Sequence, residues 1–294
     1  MYLKPKIQSI IYIAVFISAC GYNPVRTPFT LSADRYDKTA AVNDSIRLLN
    51  WNIHKEGNTH EWEKAIARIV KAKAPDFLVL QEVRLEANVG SFISENLHYG
   101  WKFSPNVYQG YYDAYSGVLT ASHIKPKTVT SALSEKTELF SEIKKILQCA
   151  KFTVGSPSSE LLVINIHAIN FNIRLDGFKE QMRCIAAAIM EHDGPVIVAG
   201  DFNTWRGDRL ELLAKLAAKM RLEKVDFGAD ADHIAAMFGN TLDHIYISRD
   251  TLEVIDGTQE VIADIKPSDH SPLFVELRLK RTVASTGVEQ GKTI

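Results

Sequence analysis

Short apolar runs closed by polar side chains recur along the chain. The clearest is Val196-Ile197-Val198-Ala199, set off by Gly194-Pro195 and followed by Gly200-Asp201-Phe202-Asn203-Thr204-Trp205. An unbroken run rich in Val and Ile reads as a strand buried on both faces, and the glycine lets the chain turn sharply into a carboxylate and an amide. Ile46 to Leu49 likewise ends at Asn50-Trp51-Asn52-Ile53, Phe77 to Leu80 at Gln81-Glu82-Val83-Arg84, and Leu161 to Ile166 at His167-Ala168-Ile169-Asn170. Two later runs reverse the order. Asp243 stands at the start of the strand Leu242 to Ile247, and Ser268-Asp269-His270 precedes Leu273 to Leu277.

Between these runs the apolar period becomes helical. Glu61 to Lys73 places Trp62, Ile66, Ile69 and Val70 on one face, and Pro75 stops it. A less regular helix is expected over Glu86 to Leu97, and amphipathic helices over Leu175 to Met190 and Arg209 to Met220. Trp101 to Lys127 reads as strands with turns, and Ile146 to Val154 as a strand pairing with Leu161 to Ile166 across a Gly-Ser-Pro turn. If the last two strands run antiparallel to the first four, Asn52, Glu82, His167, Asp201, Asp243 and the Asp269–His270 pair reach one edge. A strand-rich α/β sandwich with mixed sheets does this.

The first residues do not fit that pattern. Lys4 and Lys6 precede an apolar run from Ile7 to Ala19, the length of a signal-peptide core. It ends in Ile17-Ser18-Ala19-Cys20-Gly21, which resembles a bacterial lipobox with Cys20 as the lipidated residue. An ordinary secretory signal or a short uncleaved anchor, with an incidental Cys, is the alternative. Residues 1–20 are therefore read as a lipoprotein-type signal peptide, 21–45 as a flexible tether, 46–280 as the folded domain and 281–294 as a tail. A lipidated Cys20 anchors the chain in a bacterial cell envelope. Gly21 in place of Asp favours the outer membrane in a Gram-negative source. Cys149 and Cys184 are expected as separate thiols rather than a disulfide.

Charge narrows the partners. Lys plus Arg is 34 and Asp plus Glu is 35 in 294 residues, so no global positive field advertises nucleic acid. The inventory at the strand ends is carboxylate and amide oxygen, suited to Mg²⁺ or Mn²⁺ and poor for zinc. No paired-Cys motif, His-Glu-x-x-His, Gly-x-Ser-x-Gly elbow or phosphate-binding glycine loop is present. Carboxylates around a divalent ion, with histidines and an Arg, suit transfer of a phosphoryl group to water.

Asn50-Trp51-Asn52-Ile53, Leu80-Gln81-Glu82, Gly200-Asp201-Phe202-Asn203, Leu242-Asp243-His244-Ile245 and Ser268-Asp269-His270 together resemble the endonuclease/exonuclease/phosphatase, or DNase I-like, superfamily. The resemblance covers residues 46 to 279, and two of the motifs look closest to a little-characterised bacterial branch. It implies a four-layer α/β/β/α sandwich with two packed mixed sheets and the site on one edge. Glu82 resembles the principal metal-binding glutamate, with Asn52 and Asp269 near the same ion. Asp201 resembles the residue that aligns or deprotonates water, with Asn203 beside it. His270 resembles the histidine contacting the scissile phosphate and Asp243 the carboxylate orienting it. His167 and Asn170 fall where phosphate and transition-state contacts are made, and Arg84 is a further phosphate-binding candidate. His54 and Lys55 read as solvated loop residues, Trp51 and Trp205 as packing. The reaction implied is metal-dependent phosphoester hydrolysis by a monomer. The substrate stays open among nucleic acid, phospholipid and small phosphate esters, as does a non-catalytic membrane-tethered binding domain on the same fold.

Overall fold

The computed structural model describes residues 21–37, 42–139, 141–155, 158–172 and 174–280; Cys20 and the signal-peptide and tail segments lie outside them. In chain order the strands are β1 (Tyr22–Pro24), β2 (Leu31–Ala33), β3 (Ser45–Asn52), β4 (Phe77–Leu85), β5 (Gly100–Gln109), β6 (Ala114–Ser122), β7 (Thr128–Leu133), β8 (Ile146–Val154) and β9 (Ser159–His167). They continue as β10 (Val196–Asp201), β11 (Leu222–Lys224), β12 (Ala236–Met237), β13 (Asn240–Thr241), β14 (Asp243–Ser248), β15 (Leu252–Val254), β16 (Glu260–Val261) and β17 (Leu273–Leu279). The α-helices are α1 (His60–Lys73), α2 (Ala87–Ser91), α3 (Asp176–Met190) and α4 (Gly207–Lys219).

One sheet has the order β1-β5-β6-β4-β3-β17-β15, with β2 also on β5 and β16 on β17; the other has the order β11-β14-β10-β9-β8-β7. β3 is parallel to β4 and β9 to β10, and the remaining pairs are antiparallel. Both sheets are thus mixed. Strand alternation makes the layers, because successive side chains point to opposite faces. Ile46, Leu48, Phe77, Val79, Val163, Ile197 and Val275 fill the space between the sheets. Leu49, Trp51, Leu78 and Leu80, one residue out of phase, meet Trp62, Ile66 and Ile69 of α1 on one outer face. Ile164, Ile166 and Val198 meet Phe178 and Met182 of α3 and Leu213 of α4 on the other. Both faces of these strands are covered, which is why their sequences read as unbroken apolar runs.

Local signals act as expected at α1. The Thr59 hydroxyl accepts from the Trp62 amide at 3.2 Å, and Ala74 leaves the helix in a left-handed conformation just before Pro75. The second expected helix is shorter: α2 gives way to a π-helical turn over Phe92–Asn96. The tether reading of residues 21–45 is corrected. Tyr22–Pro24 and Leu31–Ala33 each form ladder pairs with β5, so part of that stretch is built into the sheet. These short strands carry no alternation to betray them, and only the free edge of β5 recruits them. Cys149 and Cys184 are free, half-buried thiols. No helix among the described residues is long and apolar enough to cross a membrane.

Candidate active site

The ladder itself assembles the site. His167 at the end of β9, Asp201 at the end of β10 and Asp243 at the start of β14 stand side by side in register. Gly200 permits this, since a Cβ there would lie 1.9 Å from the Ile166 carbonyl oxygen. From the other sheet come Asn52, at the end of β3, and Glu82. Glu82 is not at a strand end as expected. Leu80 pairs with Leu119 and Val83 with Gly117, so Gln81 and Glu82 together face the single residue Val118. This is a β-bulge, and Glu82 takes φ 51° within it, a left-handed conformation uncommon for a non-glycine residue. The extra residue shifts the alternation and re-aims the carboxylate toward the site.

Beneath the site the two sheets are pinned by buried amides. Gln81 Nε2 donates to Asn50 Oδ1 at 3.0 Å and to Asn165 Oδ1 at 2.9 Å, and Asn165 Nδ2 donates to the Leu119 carbonyl at 3.0 Å. All three residues are fully buried, where an unpaired amide is costly. This column holds one sheet at a fixed offset from the other and so fixes the gap between Glu82 and Asp201.

Asp201 is buried and doubly held: Oδ1 accepts from the Asn203 amide at 2.8 Å and Oδ2 from Asn52 Nδ2 at 3.0 Å. Burial, and then the neighbouring Asp243, push its carboxyl up to about 7. His270 Nδ1 lies 2.6 Å from Asp243 Oδ2. Burial opposes a charge on this ring, but the Asp243 carboxylate outweighs it and carries the imidazole up to about 10. The His270 carbonyl accepts from Trp51 Nε1 at 2.9 Å, while the Ser268 hydroxyl donates to the Asn52 carbonyl at 2.7 Å and accepts from the His270 amide at 3.1 Å. Trp51 is indeed a packing residue, stacked on Trp62, and it also ties down the His270 loop.

Lys55 corrects its reading as a solvated loop side chain. His54 and Lys55 both adopt left-handed conformations, which curl the chain back so that the Lys55 amide donates to the Glu82 carbonyl at 2.9 Å. Its ammonium then pairs with Glu82 Oε2. Burial would raise the Glu82 carboxyl, but the Lys55 and Lys145 ammonium groups hold it well below the usual range. His54 stays exposed, 3.7 Å from Asp269 Oδ1. Lys145 is the second cation that strand reasoning missed: its Nζ lies 3.1 Å from His167 Nε2 and 3.3 Å from Glu138 Oε1. His167 Nε2 is 3.7 Å from both Glu82 Oε1 and Asp201 Oδ2. Burial, reinforced by Lys145, keeps its imidazole neutral, well below the usual histidine range. Arg209 was missed as well. Wholly buried, it donates through Nη1 to the Ile169 carbonyl at 2.7 Å and the Asn203 carbonyl at 2.9 Å, clamping the loops after β9 and β10.

Of the remaining expected residues Asn203 is buried and Asp269 exposed. Asn203, with φ 50°, donates through Nδ2 to the Ala168 carbonyl at 2.9 Å. Asn170 receives the Phe171 amide on its own Oδ1 at 2.9 Å and donates its backbone amide to Glu138 Oε1 at 3.2 Å. Asp269 is exposed, its Oδ1 4.0 Å from His270 Nε2. Arg84 bonds Glu86 through Nε and lies with its guanidinium 3.8 Å from the Tyr112 ring centre, so it borders the site rather than filling it. Trp205 is half-buried between Phe171 and Phe238, with ring centres 6.2 Å away on each side.

Among the described residues, one grouping of these side chains has the ligand atoms of a cation site. Asp201, Asp243 and His270 bring one ligand atom each to within 4.8 Å of one another. The Asp243 carboxylate favours the charged form of His270, so a metal at this grouping would have to displace the ring proton. Glu82, Asn52 and Asp269, expected around one ion, carry oxygen donors, with Glu82 paired to Lys55 and Asn52 Oδ1 accepting from the His54 amide at 3.0 Å. Glu82 turns Oε1 away from Lys55 toward His167, which suits a hard divalent ion.

This chain is similar to several known proteins. A UPF0294 protein of Klebsiella pneumoniae (strain 342) is 32% identical over 235 residues, covering 79% of this chain and 82% of its own. A UPF0294 protein of Vibrio cholerae is 30% identical over 260 residues, covering 88% of this chain and 87% of its own. Among solved structures, the human Nocturnin catalytic domain with bound sulfate superposes with a TM-score of 0.61 at 18% identity, over 88% of this chain and 99% of that one. D. rerio TDP2 complexed with a single-strand DNA product gives a TM-score of 0.59 at 15% identity, over 80% and 100%. Both likenesses are of fold, the two-sheet DNase I-like sandwich. With the model of the Endonuclease/Exonuclease/phosphatase family matching residues 49–270, the chain belongs to that family, whose members are in general phosphoester hydrolases that use divalent metal.

Proposed function

We propose that the chain is a Mg²⁺- or Mn²⁺-dependent phosphodiesterase of nuclease-like type, anchored to a bacterial envelope membrane through a lipid on Cys20. The observation that supports this best is Asp201 itself: a buried carboxylate with its pKa near 7, oriented by Asn52 and Asn203, beside an imidazolium oriented by Asp243. Asp201 is placed to take a proton from water as the water oxygen bonds to phosphorus. His270, charged at neutral pH, donates through Nε2 to a phosphoryl oxygen as negative charge builds there. Lys145 and the neutral His167 line the opposite side, and Asn170 stands at the rim. The scissile P–O bond breaks, and the leaving oxygen takes its proton from water at this open edge. Glu82, Asn52 and Asp269 would hold the divalent ion, which when bound supplies positive charge next to the phosphoryl oxygens. All of these groups come from one chain, so we read the active form as a monomer. In a Gram-negative source, Gly21 favours the outer membrane.

A substrate panel tests the reading. Single-stranded DNA, duplex DNA, RNA, phospholipids and sugar phosphates are offered with Mg²⁺ and after exhaustive chelation. Hydrolysis of at least one class should stop on chelation and return with Mg²⁺ or Mn²⁺, but poorly with Zn²⁺. Full turnover in chelator sinks the metal assignment, and no turnover in any arm favours the non-catalytic binding domain.

A further inference from the structure

The chain enters the fold at the edge that carries the active site. β5 is antiparallel to β6, and β6 to β4, so β5 points the same way as β4 and ends at the same edge. β1 runs against β5 and therefore begins there. Tyr22 lies opposite Gln109, and the Gly110 amide donates to the Gly21 carbonyl at 3.0 Å. Residue 21 is thereby fastened to the tip of the β5–β6 turn.

That turn is the most exposed aromatic feature near the site. Tyr111 is 82% and Tyr112 44% exposed, their rings packed edge to face at 4.9 Å. Arg84, two residues beyond Glu82, stacks on the Tyr112 ring at 3.8 Å. Gly21 and both tyrosines thus lie together at the tip of the β5–β6 turn, on the edge where β4 and β5 end. Immediately before Gly21 stands Cys20, and before that the apolar run from Ile7 to Ala19. Adjacent Cα atoms are about 3.8 Å apart, so a lipid on Cys20 would be attached one residue before the first described position, Gly21.

We propose that the start of β1 and the Tyr111–Tyr112 turn form a face that docks on a lipid bilayer, turning the catalytic edge toward the membrane so that it acts on phosphoesters displayed at that surface. Tyrosine suits such a face, with an apolar ring and a polar tip for the headgroup region. The proposal rests on the Cys20 anchor, and the near-zero net charge gives no competing pull toward soluble polyanions.

The test uses the full matured chain on vesicles of phosphatidylethanolamine and phosphatidylglycerol. A second version carries a long Gly/Ser linker between Cys20 and Gly21. Amide exchange at residues 107–116 should slow by about tenfold or more on vesicles relative to detergent, with residues 188–192 at the far edge unchanged. The linker version should remain lipidated and vesicle-bound yet lose that protection, and Tyr111→Ser with Tyr112→Ser should weaken it. Release of phosphorylated headgroups from the same vesicles should fall by about tenfold with the linker, through lower effective concentration. Cleavage of bis(p-nitrophenyl) phosphate in solution should not change. A lipidated, floating chain without protection at the turn overturns the docking face. Headgroup release indifferent to the linker, or a clear preference for soluble single-stranded DNA, overturns the substrate assignment. A chain that carries no lipid and does not float removes the anchor itself, and the proposal with it.

Discussion

At the scale of single residues, the carboxylate proposed to accept a proton and the imidazole proposed to keep one share Asp243 as a neighbour. Burial and then repulsion from Asp243 raise Asp201, while attraction to Asp243 outweighs burial at His270. With Asp201 active when ionised and His270 when protonated, kcat/KM should rise through about pH 7 and fall toward about pH 10, as a pH–rate profile would show. Asp201→Asn and His270→Ala should each lower turnover by roughly 10²–10⁴, with melting little altered. Because both act on one transition state, the double variant should lose far less than the product. Turnover within about threefold of wild type in both single variants, against that expected loss, makes these residues structural. His244 offers a test away from the chemistry. Its Nε2 lies 2.7 Å from Thr204 Oγ1, and burial drives its ring down to about 3. The unfolded chain takes up a proton near 6.5 and the folded one does not, so this group's stability contribution is present above 6.5 and lost as pH falls toward 3. The loss approaches about 1.4 kcal/mol per pH unit inside that window. His244→Gln should flatten the pH dependence of denaturant midpoints between pH 6.5 and 4 relative to wild type. Parallel curves would show that His244 does not titrate this way.

At the scale of elements, the close approach of β9 and β10 delivers His167 and Asp201 together. Gly200→Ala forces a methyl into the Ile166 carbonyl and should cost about 1–3 kcal/mol or more. Activity should fall beyond what the lost stability explains, because the paired strand ends must move apart. Unchanged melting and turnover in this variant would mean that the pairing is looser than the ladder indicates. The bulge in β4 works the other way, spending a left-handed residue to bring Glu82 onto the site side. Arg209 does the same for loops, holding the turns after β9 and β10 by two carbonyl oxygens.

At the scale of the whole molecule, the amide column pins the two sheets beneath Glu82 and Asp201, and β1 fastens the start of the described chain to the same edge. The anchor is checked by labelled fatty acid. The wild-type chain should incorporate it and Cys20→Ser should not. Label that persists in Cys20→Ser, or never enters the wild type, rules out lipidation at this residue.

The layer order and most of the candidate edge follow from local pattern: strands covered on both faces are mainly apolar, and Asn52, His167, Asp201 and Asp243 stand at their ends. Helix α1 was equally legible, because cap, stripe and stop signal lie within one short segment. What the local pattern could not hold is anything created by two distant segments meeting. The bulge at Glu82 exists only against Val118 of β6, and Lys55 and Lys145 acquire their roles only when left-handed turns and neighbouring strands bring them to Glu82 and His167. Tyr22–Pro24 becomes a strand only because β5 presents a free edge. The sequence determined which side chains reach the edge; the tertiary structure decided which of them carry charge there, since a pKa depends on burial and on neighbours far away in the chain.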